Sequence, residues 1–557
     1  MPLVVAAVSA GLIASSICLR LTGDRRGGPY LAAIFPVAVF ASLVSLYIGN
    51  LVSHRWLGAS FTHTLARLWL QDLWGGGQML SRWSAGVIAA VVIAAVLAVL
   101  IELLVWAWAM RGWQGRLSMR QAAIAVALMI GSAGIAFFSP LAAADPLVAF
   151  VRGDKVDLDV RQQMIFDQLR RDEPLRRAAY GQHAFDKKNV IVITVDSLRP
   201  DHMQSYGYQR ATTPFLSRLR AGGKLRQVQQ ASSICSESNC GIVGTLFSKT
   251  LHHQVAEDFS LFALLKDQGY DTHFVLSGNH DWMGLREMYG NEMTTYFDGR
   301  NSSRWGWSDD RVLLEGLERI GSHQRPSFFY FHLMSVHILG NKDDRYRLFT
   351  PAVVKLDMQS MFKSEYDRTS VINSYDNGIV QADDTIRQLF EMLDRKGYLH
   401  DSIVVITADH GEALAERAAG MYGHINWLYQ ELITVPLLIY DDSATEYRGL
   451  AHGSQLDVAP TIVDRLGLPI PASWEGVSLL DETQPRQTLH QTKLTRPCYA
   501  IVDYTRTQVW KYMQCAGGHE ELYDLTNDPQ EHYSLTWKGD AVPTQQYRTA
   551  LADSLNR

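Results

Sequence analysis

The chain has 557 residues, a formal net charge of −5 and a hydrophobic content of 47%. This length predicts more than one domain, and the lack of a basic excess argues against nucleic acid as a partner. The five cysteines are too few for a disulfide scaffold. The average composition conceals a division, because the N-terminal quarter is membrane-like and the remainder is typical of a soluble α/β chain.

Four apolar segments near the N-terminus are each long enough to cross a bilayer, which takes roughly 20 residues. They are residues 2–21, 30–52, 84–110 and 121–144. Arginines in the first and third connections predict that these two loops are cytoplasmic. Residues 1–144 are therefore expected to form a transmembrane helical bundle, with the rest of the chain on the outer side. The charged residues 145–188 predict a connector helix at the membrane surface.

The soluble part opens with an unbroken apolar run, residues 190–194, which predicts a strand buried on both faces. Asp196 follows at the carboxyl end of this strand. A second apolar run, residues 403–407, is followed in the same way by Asp409 and His410. Ligands collect at the carboxyl ends of strands in open α/β sheets. The three side chains therefore predict one site assembled from distant parts of the chain.

The remaining elements predict a mostly parallel sheet covered by helices. Strands are expected at residues 272–276, 328–333 and 435–440, and an amphipathic helix at 375–393. Strands that alternate with helices are typical of such a sheet. Residues 505–524 predict a β-hairpin that turns at Gly517-Gly518, within a small C-terminal antiparallel subdomain.

The run Cys235-Ser236-Glu237-Ser238 precedes an apolar stretch and predicts the N-terminus of a helix, where backbone N–H groups favour anions. Two interpretations of Cys235 remain open beside a reactive role, namely a buried thiol and a bridge to Cys240. Two interpretations also remain open for Cys498 and Cys515, namely a disulfide between them or two free thiols. Glu237, Asn239 and Glu412 are interpreted as helix caps or as supports of neighbouring side chains.

Six motifs in a single order resemble the sulfatase-like branch of the alkaline phosphatase superfamily. They are VDSLRPDHMQSYGYQRATTPFLSRL, CSESNCGIVGTLFS, ADHGE, GHINWLYQELITVPLLIY, LDVAPTIVDRLGLPIPASWEGVSLL and KYMQCAGGHEELYDLTNDPQE. The resemblance implies an alkaline-phosphatase-like α/β fold. The expected domains are the transmembrane domain 1–144, the connector 145–188, the catalytic domain 189–485 and the C-terminal β subdomain 486–557.

The resemblance implies that one divalent metal ion is held by Asp196, Asp409 and His410. Cys235 matches the family's nucleophile, which also contacts the metal, with Ser236 and Ser238 as reserves for the attacking group. The metal itself stays open, because a thiolate ligand favours zinc and oxygen ligands favour manganese, magnesium or calcium.

His337 and His424 match positions where the family places groups on the oxyanion or on the leaving oxygen of the substrate. The proline and arginine of the formylglycine motif Cys-x-Pro-Ser-Arg are missing after Cys235. The CSES run is similar instead to the Thr-Ser-Asp/Glu-Ser run of membrane-anchored lipoteichoic acid synthases. The stretch SGNHDWMGLREMYGN is loosely similar to their substrate-binding segment. Candidate substrate contacts are therefore His280, Trp282, Arg286 and Ser238.

These expectations favour a transferase of the bacterial inner membrane whose catalytic domain lies in the periplasm. It would move a phospho-head-group from a phospholipid donor to an envelope glycan or lipid acceptor, through a covalent enzyme intermediate. Two alternatives remain open. One is a membrane-bound sulfatase or phosphodiesterase that transfers the group to water, and the other is a binding or scaffold protein with a decayed site.

Overall fold

The computed structural model describes the chain in segments, at residues 177–178, 180–250, 259–280, 285–290, 293–353, 367–417, 422–424, 427–441, 443, 445–482, 485–492, 497–515 and 518–555. The predicted transmembrane spans and most of the predicted connector lie outside these residues. Within the described segments, every helix is too short or too polar to span a bilayer. The chain divides into two compact units, 1–158 and 159–557, and the described residues belong to the second.

A seven-stranded sheet lies at the centre of the described part. The strands, in chain order, are β1 Asn189–Val195, β2 Leu225–Gln227, β3 Gln230–Ser232, β4 Asp271–Leu276, β5 Thr295–Phe297, β6 Ser327–Leu333, β7 Ser402–Thr407, β8 Ala413–Leu414, β9 Tyr422–Gly423, β10 Thr434–Val435, β11 Leu437–Asp441, β12 His452–Ser454, β13 Gln487–Thr492, β14 Cys498–Asp503, β15 Trp510–Cys515 and β16 His519–Asp524. The order in the large sheet is β2-β11-β7-β1-β6-β4-β5. The strands from β7 to β5 are parallel, whereas β11 runs antiparallel to both of its neighbours. The predicted mostly parallel sheet is confirmed.

The apolar runs of the sequence form the middle of this sheet. All residues of β1 are buried, because parallel neighbours pair with it on both sides and the surrounding elements cover both faces. The strand predicted at residues 435–440 is divided into β10 and β11 by Pro436. Proline has no backbone N–H to donate to a neighbouring strand, so the pairing stops at this residue.

Helices cover the sheet, and they are α1 Pro214–Ala221, α2 Ser238–Phe247, α3 Leu261–Asp267, α4 Leu285–Tyr289, α5 Arg311–Glu318, α6 Arg368–Arg395, α7 Gln430–Ile433, α8 Val458–Arg465 and α9 Thr544–Leu555. The helix predicted at residues 375–393 is part of α6, which begins earlier. Its start is fixed by Asp367, whose carboxylate accepts a hydrogen bond from the backbone N–H of Ser370 at 3.0 Å.

The C-terminal strands β13 to β16 form a four-stranded antiparallel sheet, as predicted. Cys498 pairs directly with Cys515 across β14 and β15, and the two side chains form a disulfide. The structure therefore contains the first of the two arrangements that the sequence left open for these cysteines. A further three-stranded sheet, β10-β3-β12, and the hairpin β8-β9 complete the described strands.

A buried ion pair connects the C-terminal sheet to the segment before α7. The Nζ atom of Lys511 lies 2.7 Å from Oε1 of Glu531, and both side chains are fully buried. Lys511 also donates to the backbone carbonyl of Leu428, and the other carboxylate oxygen of Glu531 accepts from the backbone N–H of Gln430 at 2.7 Å. Arg417 lies 3.3 Å from the same carboxylate, so Lys511 is the nearer of two cations that compensate Glu531.

We expect Lys511→Met to lower the free energy of unfolding by about 1–3 kcal/mol, because the fully buried Glu531 loses its nearer cationic partner and keeps only Arg417, at 3.3 Å. Thermal and denaturant unfolding of the purified chain measures this loss. The exposed Lys224 provides a matched control, since Lys224→Met should change stability by less than about 0.5 kcal/mol. Equal stability of the two variants would contradict the prediction.

Candidate active site

Three neighbouring strands of the large sheet bring polar side chains to one edge. β1 is followed by Asp196, β7 is followed by Asp409 and His410, and β6 contains His332 as its last residue but one. The strands are in register, because Thr194 of β1 pairs both with His332 and with Thr407. The residues that follow the strands therefore lie side by side, as the sequence predicted for Asp196, Asp409 and His410.

The four side chains surround one point from different directions. Nε2 of His410 lies 3.7 Å from Asp196 and 3.6 Å from Asp409, and Nε2 of His332 lies 3.7 Å and 3.8 Å from the same carboxylates. These separations are too long for hydrogen bonds. They suit atoms that share one cation, because ligands at about 2.0–2.2 Å from an ion lie roughly 3–4 Å apart.

The tautomer of His410 agrees with a role as a cation ligand. Nδ1 of His410 donates to the carbonyl of Gly411 at 2.8 Å, so its Nε2 carries no proton and can accept from the Ser238 hydroxyl or bind a cation. Nδ1 of His332 lies 3.0 Å from Nε2 of His280, whose Nδ1 lies 2.8 Å from the hydroxyl of Tyr289. A histidine that ligates a metal is typically held in this way by a hydrogen bond at its other ring nitrogen.

The carboxylates and imidazoles of this cluster shift one another's pKa values. Burial, together with the negative charge of Asp409, raises the pKa of Asp196 to about 7. Burial would raise the pKa of Asp409 as well, but His410 and His332 hold it below its usual range. Among the described residues, Oδ2 of Asp409 and Nε2 of His332 are buried without a hydrogen-bond partner. Two carboxylates, two imidazoles and these unpaired atoms fit a divalent cation.

The N-terminus of α2 lies against the cluster. Ser238 is the first residue of this helix, and its Oγ lies 3.1 Å from Nε2 of His410. The close approach depends on Gly241, because a Cβ atom at that position would lie 2.1 Å from the backbone oxygen of Asp409. The structure thus brings Ser238, predicted as a substrate contact, directly to the candidate cation ligands.

The prediction that Cys235 is the nucleophile and a metal ligand is wrong for this structure. Its sulfur is bonded to that of Cys240, and the cysteine is fully buried in a small cluster with Ile234. A sulfur in a disulfide is not a thiolate, so it can neither attack a substrate nor bind the metal as predicted. The bridge to Cys240 is the alternative that the sequence left open.

A second group of side chains lies beside the cluster. The ring of His424 lies 4.0 Å from that of His410 and 5.2 Å from that of His337, measured between centroids. Nδ1 of His424 lies 3.2 Å from Oε1 of Glu412. Nδ1 of His337 accepts a hydrogen bond from the backbone N–H of Leu339 at 3.1 Å. His337 therefore carries its proton on Nε2, which makes it a hydrogen-bond donor rather than a cation ligand.

The pKa values of the two histidines are shifted in opposite directions because their surroundings differ. Burial and the neighbouring His424 lower the pKa of His337. Burial alone would also lower the pKa of His424, but the carboxylate of Glu412 raises it. Groups whose pKa values are pushed apart are typical of acid–base pairs. The roles predicted for both residues, as donors to an oxyanion and to a leaving oxygen, stay predictions.

The predicted head-group contacts do not form one surface. His280 is only 3% exposed, and both of its ring nitrogens are engaged by His332 and Tyr289. It therefore supports a candidate ligand instead of contacting substrate, which corrects the prediction. Arg286 donates to the carbonyl of Gly290 at 2.8 Å and lies over the ring of Tyr296. Trp282 lies outside the described residues.

Sequence reasoning missed three residues of this site. His332 could have been found, since it is the polar exception in the apolar strand FFYFHL. Ser197 donates to both carboxylates, from Oγ to Asp196 at 2.9 Å and from its backbone N–H to Asp409 at 3.1 Å. Gln455 joins the turn before α2 to the end of β7, and no local signal marks it.

Gln455 positions the two halves of the site through its side-chain amide. Its Nε2 donates to the carbonyls of Ala408 and Asp409 at 2.6 and 2.7 Å, and its Oε1 accepts from the backbone N–H of Ile234 at 3.1 Å. We expect Gln455→Ala to lower kcat/KM by about 10–100-fold, as is typical for residues that orient ligands. Gln388→Ala, at a partly exposed position of α6, is the control. Equal activity of both variants would contradict this role.

The fold and this site define an α/β protein of the alkaline-phosphatase type, with a candidate cation centre at the carboxyl edge of its sheet. The solved structure of a 2-O GAG sulfatase matches 67% of this chain and 92% of its own, with a TM-score of 0.52 at 18% sequence identity. This likeness concerns the fold. The chain belongs to the sulfatase family, because the family model described as Sulfatase matches residues 188–468.

Curated relatives carry out more than one reaction. The chain is 28% identical to choline-sulfatase of Rhizobium meliloti, over 36% of this chain and 40% of the relative. It is 26% identical to the Kdo(2)-lipid A phosphoethanolamine 7''-transferase of Salmonella typhimurium, over 46% of this chain and 44% of the relative. The matches thus span less than half the length of these two relatives, and the family likeness does not choose between hydrolysis and transfer.

Proposed function

We propose that the chain is a metal-dependent transferase that moves a phospho-head-group from a phospholipid to an envelope glycan or lipid. The observation that carries this proposal is the convergence of Asp196, His332, Asp409 and His410 next to Ser238 and two histidines whose pKa values are shifted in opposite directions. The long apolar segments of residues 1–144 and the likeness to a lipid A phosphoethanolamine transferase favour a lipid donor.

Each part of the site has a task in such a reaction. The cation would be held by Asp196, His332, Asp409 and His410, and when bound it would neutralise charge on the phosphodiester and on the attacking oxygen. The two imidazole ligands favour zinc, whereas the two carboxylates also suit manganese, magnesium or calcium. His337, with its proton on Nε2, donates a hydrogen bond to a non-bridging oxygen of the substrate.

His424 acts on the leaving group. Because Glu412 raises its pKa, His424 is suited to supply a proton to the diacylglycerol oxygen as the bond to phosphorus breaks. The same imidazole then takes the proton of the acceptor hydroxyl when the group is passed on. The proposed location is the bacterial inner membrane, with the described unit on the periplasmic side, as the arginines of the N-terminal connections indicate.

Product analysis tests the proposal. The purified full chain is incubated with zinc or manganese and with vesicles of phosphatidylethanolamine or phosphatidylglycerol, with and without lipid A or a glycolipid acceptor. A transferase produces diacylglycerol together with a modified acceptor that gains the mass of the head group. Diacylglycerol and free phosphoethanolamine or glycerol phosphate, released equally without an acceptor, would show hydrolysis instead.

A second candidate function is the hydrolysis of a sulfate ester, and the likeness to choline-sulfatase favours it. In that reaction the same cation ligands would act on a sulfuryl group, and water would be the acceptor. Choline sulfate and an aryl sulfate are the probes. Release of sulfate from either probe, with no diacylglycerol from vesicles, would replace the transferase proposal by this one.

A further inference from the structure

The four residues of the CSES run differ in their access to substrate. Cys235 and Ser236 are fully buried and Glu237 is 2% exposed, whereas Ser238 is half-buried. We propose that Ser238, and not the aligned Cys235, is the nucleophile that forms the covalent intermediate. This inference rests on the proposed function, because it names the attacking atom of that reaction.

Contacts with distant segments fix the turn before α2. The Cys235–Cys240 disulfide closes a loop around residues 236–239. The Oε1 atom of Glu237 accepts a hydrogen bond from the hydroxyl of Thr492 in β13. Gln455 holds the backbone N–H of Ile234 just before the loop. Ser238 is the member of the CSES run that is half-buried and lies within 3.1 Å of a candidate cation ligand.

The position of Ser238 suits nucleophilic attack. Its Oγ lies 3.1 Å from Nε2 of His410, so the oxygen is at the edge of the candidate cation centre. It stands on the first residue of a ten-residue helix, whose free backbone N–H groups favour a bound phosphoryl anion. The unpaired buried atoms of Asp409 and His332 at the same place are independent evidence for a ligand there.

The two half-reactions balance in atoms and protons. In the first, Ser238 Oγ forms a bond to phosphorus, the bond from phosphorus to the diacylglycerol oxygen breaks, that oxygen takes a proton from His424, and the Oγ proton passes to solvent. In the second, the acceptor oxygen bonds to phosphorus and the Oγ–phosphorus bond breaks. The acceptor proton returns to His424, and Oγ regains a proton from solvent. No oxidant or reductant takes part.

The experiment has two readouts on the full chain. The first is mass spectrometry of the peptide around Ser238 after rapid acid quench, with a p-nitrophenyl phosphodiester as an activated probe. The second is diacylglycerol release from phosphatidylethanolamine vesicles. The variants are Ser238→Ala, Ser238→Thr, the double variant Cys235→Ala/Cys240→Ala and, as a matched control within the same run, Ser236→Ala.

We expect the adduct on Ser238 in the unaltered chain, in Ser236→Ala and in the double cysteine variant. Ser238→Ala should lose the adduct and at least about 1,000-fold of kcat/KM, whereas Ser238→Thr should keep part of both because a hydroxyl remains. An adduct on a cysteine, or full turnover by Ser238→Ala, would overturn the inference while the proposed function stands. An adduct on Ser238 without diacylglycerol release would support the inference and overturn the choice of donor.

Discussion

Asparagine in place of Asp409 is expected to remove the bound cation and to lower kcat/KM by at least about 1,000-fold. The substitution preserves the size of the side chain and one of its oxygens. The backbone N–H groups of Ser197 and His410 now donate to Oδ1 at 3.1 and 2.9 Å, and the amide oxygen of the Asp409→Asn variant can still accept both hydrogen bonds. What it removes is the negative charge of the fully buried carboxylate between His332 and His410. Turnover and metal content, determined on the same preparation, measure the two effects.

Asp401 offers a matched control because it lies at the opposite end of the same strand. It precedes β7, as Asp409 follows it, and it pairs with Lys188 at the amino edge of the sheet. Asp401→Asn should retain both metal and activity, since its exposed carboxylate contributes little beyond a surface ion pair. An Asp409→Asn variant that binds zinc or manganese as tightly as the parent would refute the proposed cation centre.

The part of the site that the sequence predicted depends on local signals. An apolar run followed at once by a carboxylate defines both the strand and its end, so Asp196, Asp409 and His410 could be placed without knowledge of the rest of the fold. Parallel strands in register then bring such ends together. The C-terminal antiparallel sheet could also be predicted from local signals, because its hairpin β15–β16 is formed by adjacent segments.

The errors concern contacts between segments that are distant in the chain. His280 was expected to meet substrate, but its partner His332 lies on a strand 52 positions away, and only the pairing of β4 with β6 makes them neighbours. Cys235 was given the role of nucleophile by alignment with a family motif. Its burial follows from packing with Ile234 and Cys240 and against Leu456, which is distant in the chain. Spacing alone could not decide between a reactive thiol and a bridge to Cys240.

Gly241 is required both for the packing of α2 against the end of β7 and for the placement of Ser238. Alanine in place of an internal helical glycine normally stabilises a helix by roughly 0.5–1 kcal/mol. Here the added Cβ would lie 2.1 Å from the backbone oxygen of Asp409 and 2.8 Å from its carbonyl carbon, so neither partner can move aside without shifting the end of β7. We expect Gly241→Ala to lose about 1–3 kcal/mol of stability and about 100-fold in kcat/KM, because a shift of about 1 Å separates Ser238 from the cation ligands.

Gly244, one turn further along α2, separates this effect from a general effect of alanine in the helix. A Cβ atom there would meet the end of the Ile234 side chain at 2.8 Å, and a side-chain terminus can rotate away where a backbone carbonyl cannot. Gly244→Ala should therefore lose less than about 10-fold in kcat/KM, a tenth of the loss expected at Gly241. Unfolding curves and steady-state kinetics of both variants test the difference. Equal losses at the two positions would show that the contact with Asp409 does not control the placement of Ser238.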